Sequence, residues 1–459
     1  GSQFDSETPY SYQSVRGKIK LLHANQFTLQ KPYHGFVPFW GGLKKPEHLN
    51  QLKSVLSGDK ARASGLIGKM GRGPYWIGKG LAATAQLMNV AEQNGDPSLA
   101  AHTENLIKQR LQSWFSGSHA TYFAYNNKIG STLAYPEEYG SVTAMNDHHF
   151  HYGYWIWVAA QLAIKDPQWA AEQNWRPMID LIVADIATAE RGRKDFPFIR
   201  NFDAYESHSW AGGNGIYFGQ GNNQEASSEA INAWAALILW GEVTANKPLR
   251  DLGIYLYTSE VEAANFYWFD VHQQVLDSEF GHTMASMVFG GKYAYNTWWT
   301  EEPRQIQGIN LLPITTASVY LGQYPDYVKS YVSSIEPAKK TYESRGMSDG
   351  TPSDVWQDIY ASYLGLADPA LGLSKWLAHG SVELGETRSH TMFWLYSLNE
   401  MGAPDFTVTA NTPLYAVFKD QNGKRTYLAY NASDKDIRVL FSNGIRFTLP
   451  SHKFASLTK

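Results

Sequence analysis

Three histidines and two tyrosines crowd behind one aspartate in Asn146-Asp147-His148-His149-Phe150-His151-Tyr152-Gly153-Tyr154, a run that reads as the opening of a helix. Asp147 and His151 stand four apart, so a helix that begins at or before Asp147 puts them on one face. An aspartate at a helix start is ordinarily an N-cap; so many polar rings beside it point to a site instead. A second cluster, Gly221-Asn222-Asn223-Gln224-Glu225-Ala226-Ser227-Ser228-Glu229-Ala230, also opens a helix. Glu225 and Glu229 share its face, Asn232 continues it, and Ile231, Trp234, Leu237 and Ile238 cover the others. Asn222 with Glu225 fits a capping box, which leaves Glu229, beyond the capping turn, as the carboxylate with the weaker structural explanation. Between the clusters lies the aperiodic stretch from Arg200 to Gly213. Its Asp203 and Glu206 read as loop carboxylates, and His208 and Trp210 as ligand contacts.

Other chemistries fail on the same residues. The chain has no P-loop, no Gly-x-Gly-x-x-Gly after a strand, no Gly-x-Ser-x-Gly elbow and no His-Glu-x-x-His. It has no cysteine, which removes thiolate metal sites, disulfides and a Cys nucleophile. Adjacent histidines on a helix point about 100° apart. At most two of His148, His149 and His151 converge, and no metal or other cofactor is expected. What remains is a set of carboxylates flanked by aromatics. Glycoside cleavage asks for that set: one protonated carboxyl to donate to the leaving oxygen, and one ionised carboxylate to attack the sugar or activate water.

These groups need a frame. From Pro46 to about Met401 the hydrophobic pattern is helical, and it predicts about twelve helices near 47–57, 77–93, 98–115, 149–165, 168–190, 225–242, 248–271, 310–322, 325–336, 353–366, 368–377 and 389–401. Most fall in closely spaced pairs, and six helical hairpins in one run predict an (α/α)6 toroid over residues 46–403. Three stretches interrupt it: 116–148, 191–224 and 272–309. Loops this long in a compact domain are usually functional, and on one rim of a toroid they wall a cleft. Residues 1–45 read as a strand and loop segment, with Ser14–Leu21 alternating. Residues 404–459 read as a small antiparallel β module, with strands at Leu414–Phe418, Thr426–Tyr430, Ile437–Phe441 and Ile445–Leu449 and hairpin turns at Asn422-Gly423 and Asn443-Gly444.

A formal charge of −4 over 459 residues gives no basic field for nucleic acid or an anionic membrane. The longest apolar runs, Tyr154–Ile164 and Trp234–Trp240, fall short of the ~20 residues a membrane span needs. With 16 Trp and 28 Tyr, the chain carries flat surfaces of the kind that sugar rings stack on.

At Asn146–Tyr154, Arg200–Gly213 and Asn222–Ala230, with weaker matches at Tyr75-Trp76-Ile77-Gly78-Lys79 and Arg16-Gly17-Lys18, the sequence resembles glycoside hydrolase family 81, the inverting endo-β-1,3-glucanases called laminarinases. The resemblance spans roughly residues 10–400. It implies a toroidal catalytic domain, a β-1,3-glucan substrate and no cofactor. It implies that Asp147 is the acid, that the base is one of Glu225 and Glu229, and that His151 belongs to the active site. Glu229 is the expected base, with Glu225 positioning it or the water. Inversion requires the acid and base carboxyls roughly 6.5–9.5 Å apart. Burial and the neighbouring glutamates should raise the Asp147 pKa. Tyr75, Tyr152, Tyr154, Tyr205, Trp210, Trp298 and Trp299 are the expected stacking platforms, and Lys79, His208, Asn223 and Glu301 the expected hydroxyl partners. Two departures stand out. Family members carry a large N-terminal β-sandwich, of whose linking domain residues 1–45 read as a remnant. The segment Arg72-Gly73-Pro74 also lacks an expected acidic residue.

Two competing classes fit the frame. A polysaccharide lyase would use His151 or Tyr152 as base and Arg200-Asn201 against a uronate, but the acidic balance opposes a polyanion. A non-catalytic glucan binder would keep the aromatics without needing all three carboxylates. Export from the cell is expected from the function and not from a leader, since Gly1-Ser2 matches the scar of tag removal.

Overall fold

The computed structural model describes residues 7–26, 28, 30–117, 120–213, 221–347, 354–379 and 382–459. Twelve α-helices lie among them: α1 (Pro46–Arg62), α2 (Pro74–Gln93), α3 (Pro97–Phe115), α4 (His148–Lys165), α5 (Arg176–Ile186), α6 (Ser227–Val243), α7 (Lys247–Ala263), α8 (Pro303–Gly308), α9 (Pro325–Ser344), α10 (Gln357–Ala367), α11 (Pro369–His379) and α12 (Arg388–Met401). The turns between paired helices are written in standard stop and start residues. After α2, Gly95 takes a left-handed φ of 87°, Asp96 accepts a hydrogen bond from Leu99 N at 3.0 Å, and Pro97 occupies the first helical position. Asn246 and Thr387 cap α7 and α12 in the same way.

Packing closes the helices into a ring. α2 lies on α4, α4 on α6, α6 on the 3-10 helix Thr316–Gly322, that helix on α10, α10 on α12, and α12 back on α2. Outside them stand α3, α5, α7, α9 and α11, and α1 completes the outer layer against α12. Inner helices α4 and α6 are buried on nearly every side, which explains text that is apolar all round and not amphipathic. Gly153 lets them meet, since a Cβ there would lie 2.6 Å from Ala233 Cβ. The result is the two-layered toroid that the hairpin pattern predicts.

Three predicted helices differ. Residues 168–190 give only α5, because Pro177 sits at its start and a proline ring cannot continue a helix from upstream. The segment 310–322 is not one helix: Pro313 interrupts it, and α8 followed by Thr316–Gly322 replaces it. The α7 stretch widens into a π-helical turn, Ala264–Trp268, before residue 271.

The described parts of the three long loops gather on one rim; residues 118–119 and 214–220 of the expected loops lie outside the described residues. Asn146 bridges Gly212, and Asn223–Gln224 pairs with Met287–Phe289. The N-terminal hairpin, Glu7–Ser14 with Gly17–Leu22, is fastened there by Arg16, whose Nε lies 3.1 Å from Glu206 and whose guanidinium covers Tyr267. At the other end, residues 33–40 thread between ring and β module. Trp40 stacks on Trp394 at 4.3 Å, and Phe39 meets Tyr430. The module pairs Ala403–Pro404, Tyr415–Lys419, Arg425–Tyr430 and Phe454–Thr458 in one antiparallel sheet, beside the hairpin Ile437–Leu440 with Arg446–Leu449. Its Leu414, Phe418, Leu428 and Tyr430 join the same hydrophobic core as the ring.

Candidate active site

The rim loops and the first turns of the inner helices enclose a cleft of about 1030 Å³. Asp147, Glu225 and Glu229 all line it, with Tyr75, Lys79, His151, Asn223, Trp298 and Trp299.

Asp147 is the N-cap of α4 by position, yet its side chain makes no capping bond. Its φ of 61° is left-handed, a costly conformation for an aspartate. Two rim contacts hold it: Asp147 N donates to Ala211 O at 2.9 Å, and His151 N donates to Asp147 O. Strain collects around this cleft, since Tyr139, Ala226 and Trp356 line it and also have positive φ.

Glu225 does not share a helix with Glu229. α6 begins at Ser227 after N-cap Ala226, and Asn310 supplies the cap: its Oδ1 accepts from both Ser227 N and Ser227 Oγ at 2.9 Å. Asn222 instead spends its side chain on Gly212 and Asn223 N. The expected capping box is therefore absent, and one Glu225 oxygen, Oε1, has no hydrogen-bond partner among the described residues. Glu229 is on α6 and buried. Its Oε1 accepts from Tyr154 OH at 2.6 Å, and Tyr75 contributes a second hydrogen bond.

These surroundings separate the three carboxyls. Burial holds Asp147 well above the usual carboxylate range, and the charges of Glu229 and Glu225 push the same way. Burial and the neighbouring Glu229 push Glu225 up to about 8. Burial raises the Glu229 pKa on balance, and Lys79 with the hydroxyls of Tyr154 and Tyr75 opposes that shift, an opposition that Asp147 and Glu225 do not have from any cation. Lys79 in turn sits 3.4 Å from Glu383, whose pKa burial pushes up to about 7 against the pull of Lys79.

The three histidines diverge as adjacent helical positions must. His148 lies between Asp185 Oδ2 at 2.5 Å and Ser141 O at 2.6 Å, and His149 faces Gln224 and stacks on Trp234. His151 alone lines the cleft. Burial and His148 push it down to about 3, so it stands neutral beside Tyr75.

Other predicted contacts lie elsewhere. Tyr152 is a core residue: it is fully buried, its hydroxyl donates to Thr132 O, and its ring meets Phe123 edge-on. Tyr154 stands behind Glu229 and is a support, not a platform. His208 is buried with its Nδ1 against Ser209 O, boxed by Trp210 and Trp268. Trp210 is half-buried, ties Nε1 to Asp203 and lies under Arg16. Tyr205 and Glu301 are exposed on the rim and do not line the cleft, whereas Trp298 and Trp299 do, at 51% and 54% exposure.

Glu383, Trp76, Tyr139 and Trp356 are cleft residues that spacing alone does not reveal. Glu138 answers the acidic residue missing near Arg72-Gly73-Pro74. From a distant loop, its carboxylate accepts from Gly73 N, Tyr75 N and Trp76 N, capping α2 and fixing both aromatics.

Residues 47–398 match the sequence model of the glycosyl hydrolase family 81 C-terminal domain, and the chain belongs to that family. Among its relatives, a glucan endo-1,3-beta-D-glucosidase of Acetivibrio thermocellus is 43% identical over 98% of this chain and 57% of its own length. One of the same name from Thermobifida fusca is 33% identical over 98% of this chain and 58% of its own. A solved glycoside hydrolase family 81 structure from Clostridium thermocellum, a point mutant, superposes with a TM-score of 0.92 at 41% identity, covering 100% of this chain and 62% of that one. The chain thus spans about three fifths of the length of these relatives.

Proposed function

We propose that the chain carries an endo-acting β-1,3-glucan hydrolase activity that inverts the anomeric carbon. The observation that carries it is one cleft lined by both Asp147, biased towards its protonated form, and Glu229, whose negative charge Lys79, Tyr75 and Tyr154 support. Asp147 donates its proton to the glycosidic oxygen as the bond breaks. Glu229 takes a proton from the water that attacks the opposite face of the sugar, and the liberated end is the α anomer. Glu225, which also lines the cleft, orients that water. His151 contacts the sugar as a neutral ring, and Trp298 and Trp299 stack further units. The names of the relatives supply the substrate, and an extracellular or cell-wall setting follows from it. No helix among the described residues is long and apolar enough to cross a membrane.

The lining also opposes a uronate lyase. Asp147, Glu225, Glu229, Asp354 and Glu383 face the cleft against one lysine, Lys79, among the described residues. Incubation with laminarin and linear β-1,3-glucan, followed by chromatography, should show oligosaccharides with ordinary reducing ends. Asp147→Asn and Glu229→Gln should each lower kcat at least about a hundredfold. Unsaturated uronate ends, no cleavage, or a near-normal rate for Asp147→Asn would overturn the reading.

A further inference from the structure

A second cavity, about 420 Å³, opens through the outer wall of the ring, away from the carboxylates. It exists because the fourth inner position of the ring is held by the short helix Thr316–Gly322, where its neighbours have full α-helices. The space left between α7 and the start of α9 is covered by the strap at residues 31–35. Its size falls in the roughly 300–1,000 Å³ range of small-ligand sites. The π-helical turn Ala264–Trp268 contributes Asn265 and Phe266 to the wall, and such turns recur at functional sites.

The lining specifies the ligand. Two buried polar atoms of lining residues, His34 Nδ1 and Tyr320 OH, have no hydrogen-bond partner among the described residues, and groups of that kind are costly unless something else bonds them. Asn265 and Gln323 form a side-chain pair at 3.2 Å, with donor and acceptor capacity left over. Flat faces come from Phe266 and from Tyr324, which meets His272 edge-on. The charges at the mouth cancel, since Lys31 Nζ lies 2.9 Å from Glu262. Burial lowers the His34 pKa, so that ring adds no cation. Aromatic faces, unspent neutral hydrogen-bonding groups and no free charge suit an uncharged polyhydroxylated ring and not a phosphate or a carboxylate.

We infer that this side cavity is an accessory carbohydrate site, separate from the cleft, that takes one end or a short stretch of a neutral gluco-oligosaccharide. The inference rests on the family substrate only for its probe. Filling the site needs no movement of the catalytic residues, because the two cavities share no lining residue. A polysaccharide held there would keep a second part of the same chain, or a neighbouring chain, against the enzyme and raise its local concentration at the cleft.

The test is calorimetric titration of β-1,3-linked glucotriose into the full chain carrying Asp147→Asn, which prevents turnover. Two binding events per chain are expected. Tyr320→Phe removes a hydroxyl without a hydrogen-bond partner among the described residues, so folding is preserved, and it should weaken one event about fivefold, the worth of one ordinary hydrogen bond. Val261→Trp, which fills the cavity from its wall, should abolish that event and leave the other. Trp299→Ala should weaken the other event alone. A single event that responds to Trp299→Ala and to neither cavity variant would overturn the inference. A single event that responds to the cavity variants and not to Trp299→Ala would overturn the cleft assignment instead.

Discussion

Glu225→Gln should make the protein more stable, and more so the higher the pH. The native carboxyl is pushed from its ordinary 4.5 up to about 8, first by burial and then by Glu229. In the unfolded chain it ionises near 4.5. Between those values the folded state holds a proton that the unfolded state has released, so stability falls as pH rises through that window. The slope is about 1.4 kcal/mol per pH unit, which sets an upper limit of about 5 kcal/mol by pH 8.5. Residual solvent contact on Glu225 reduces this to about 2–3 kcal/mol. A glutamine keeps the shape, carries no proton to lose, and removes repulsion from Glu229 and Asp147. Urea unfolding of both proteins at pH 4.5, 6.5 and 8.5 should give nearly equal stabilities at the lowest pH and a widening advantage for the variant above it. A gap that stays constant with pH, or that favours wild type at pH 8.5, would refute the placement of this carboxyl in a low-dielectric cluster of like charges.

Two further outcomes follow from named contacts. Lys79→Met removes the cation that opposes the raised pKa of Glu229, so the acidic limb of kcat/KM against pH should move upward by about one unit or more; an unmoved limb would separate Lys79 from the base. Trp210→Ala should cost about 1–3 kcal/mol of stability, the usual range for a packed side chain, with glucan affinity unchanged, because Trp210 is spent on His208, Asp203 and Arg16. Weakened binding at normal stability would return it to the cleft.

The helical frame was legible because α2, α3, α7 and α12 begin or end at proline, glycine or capping residues, and α4 and α6 keep their apolar text over many turns. The short inner helix after Pro313 was not, since 310–322 is apolar enough to read as α-helix and only packing shows where the chain must turn. The last strand of the β module, Phe454–Thr458, escaped because its polar positions do not alternate cleanly and its pairing is with Arg425–Tyr430, not with a hairpin neighbour. Within the site, Asp147, Glu225, Glu229 and His151 were visible as clustered residue types near one another in sequence. Glu138 and Glu383 were not: each is one carboxylate in an ordinary loop, and its meaning depends on which helix end or lysine the fold brings to it. The aromatics were the least readable. Nothing in the sequence separates Tyr152, whose hydroxyl satisfies a backbone carbonyl in the core, from Trp299, which faces the cleft. Exposure on a rim is set by the loops, and the loops have no period.

The most direct test of the central claim is the anomeric form of the first product. Proton NMR during the early hydrolysis of linear β-1,3-glucan, at a time short compared with mutarotation, should show the new reducing end as the α anomer, as one water attacking opposite Asp147 requires. A β anomer as the first-formed product would mean a covalent intermediate on one of the glutamates, and the acid and base roles assigned to Asp147 and Glu229 would not stand.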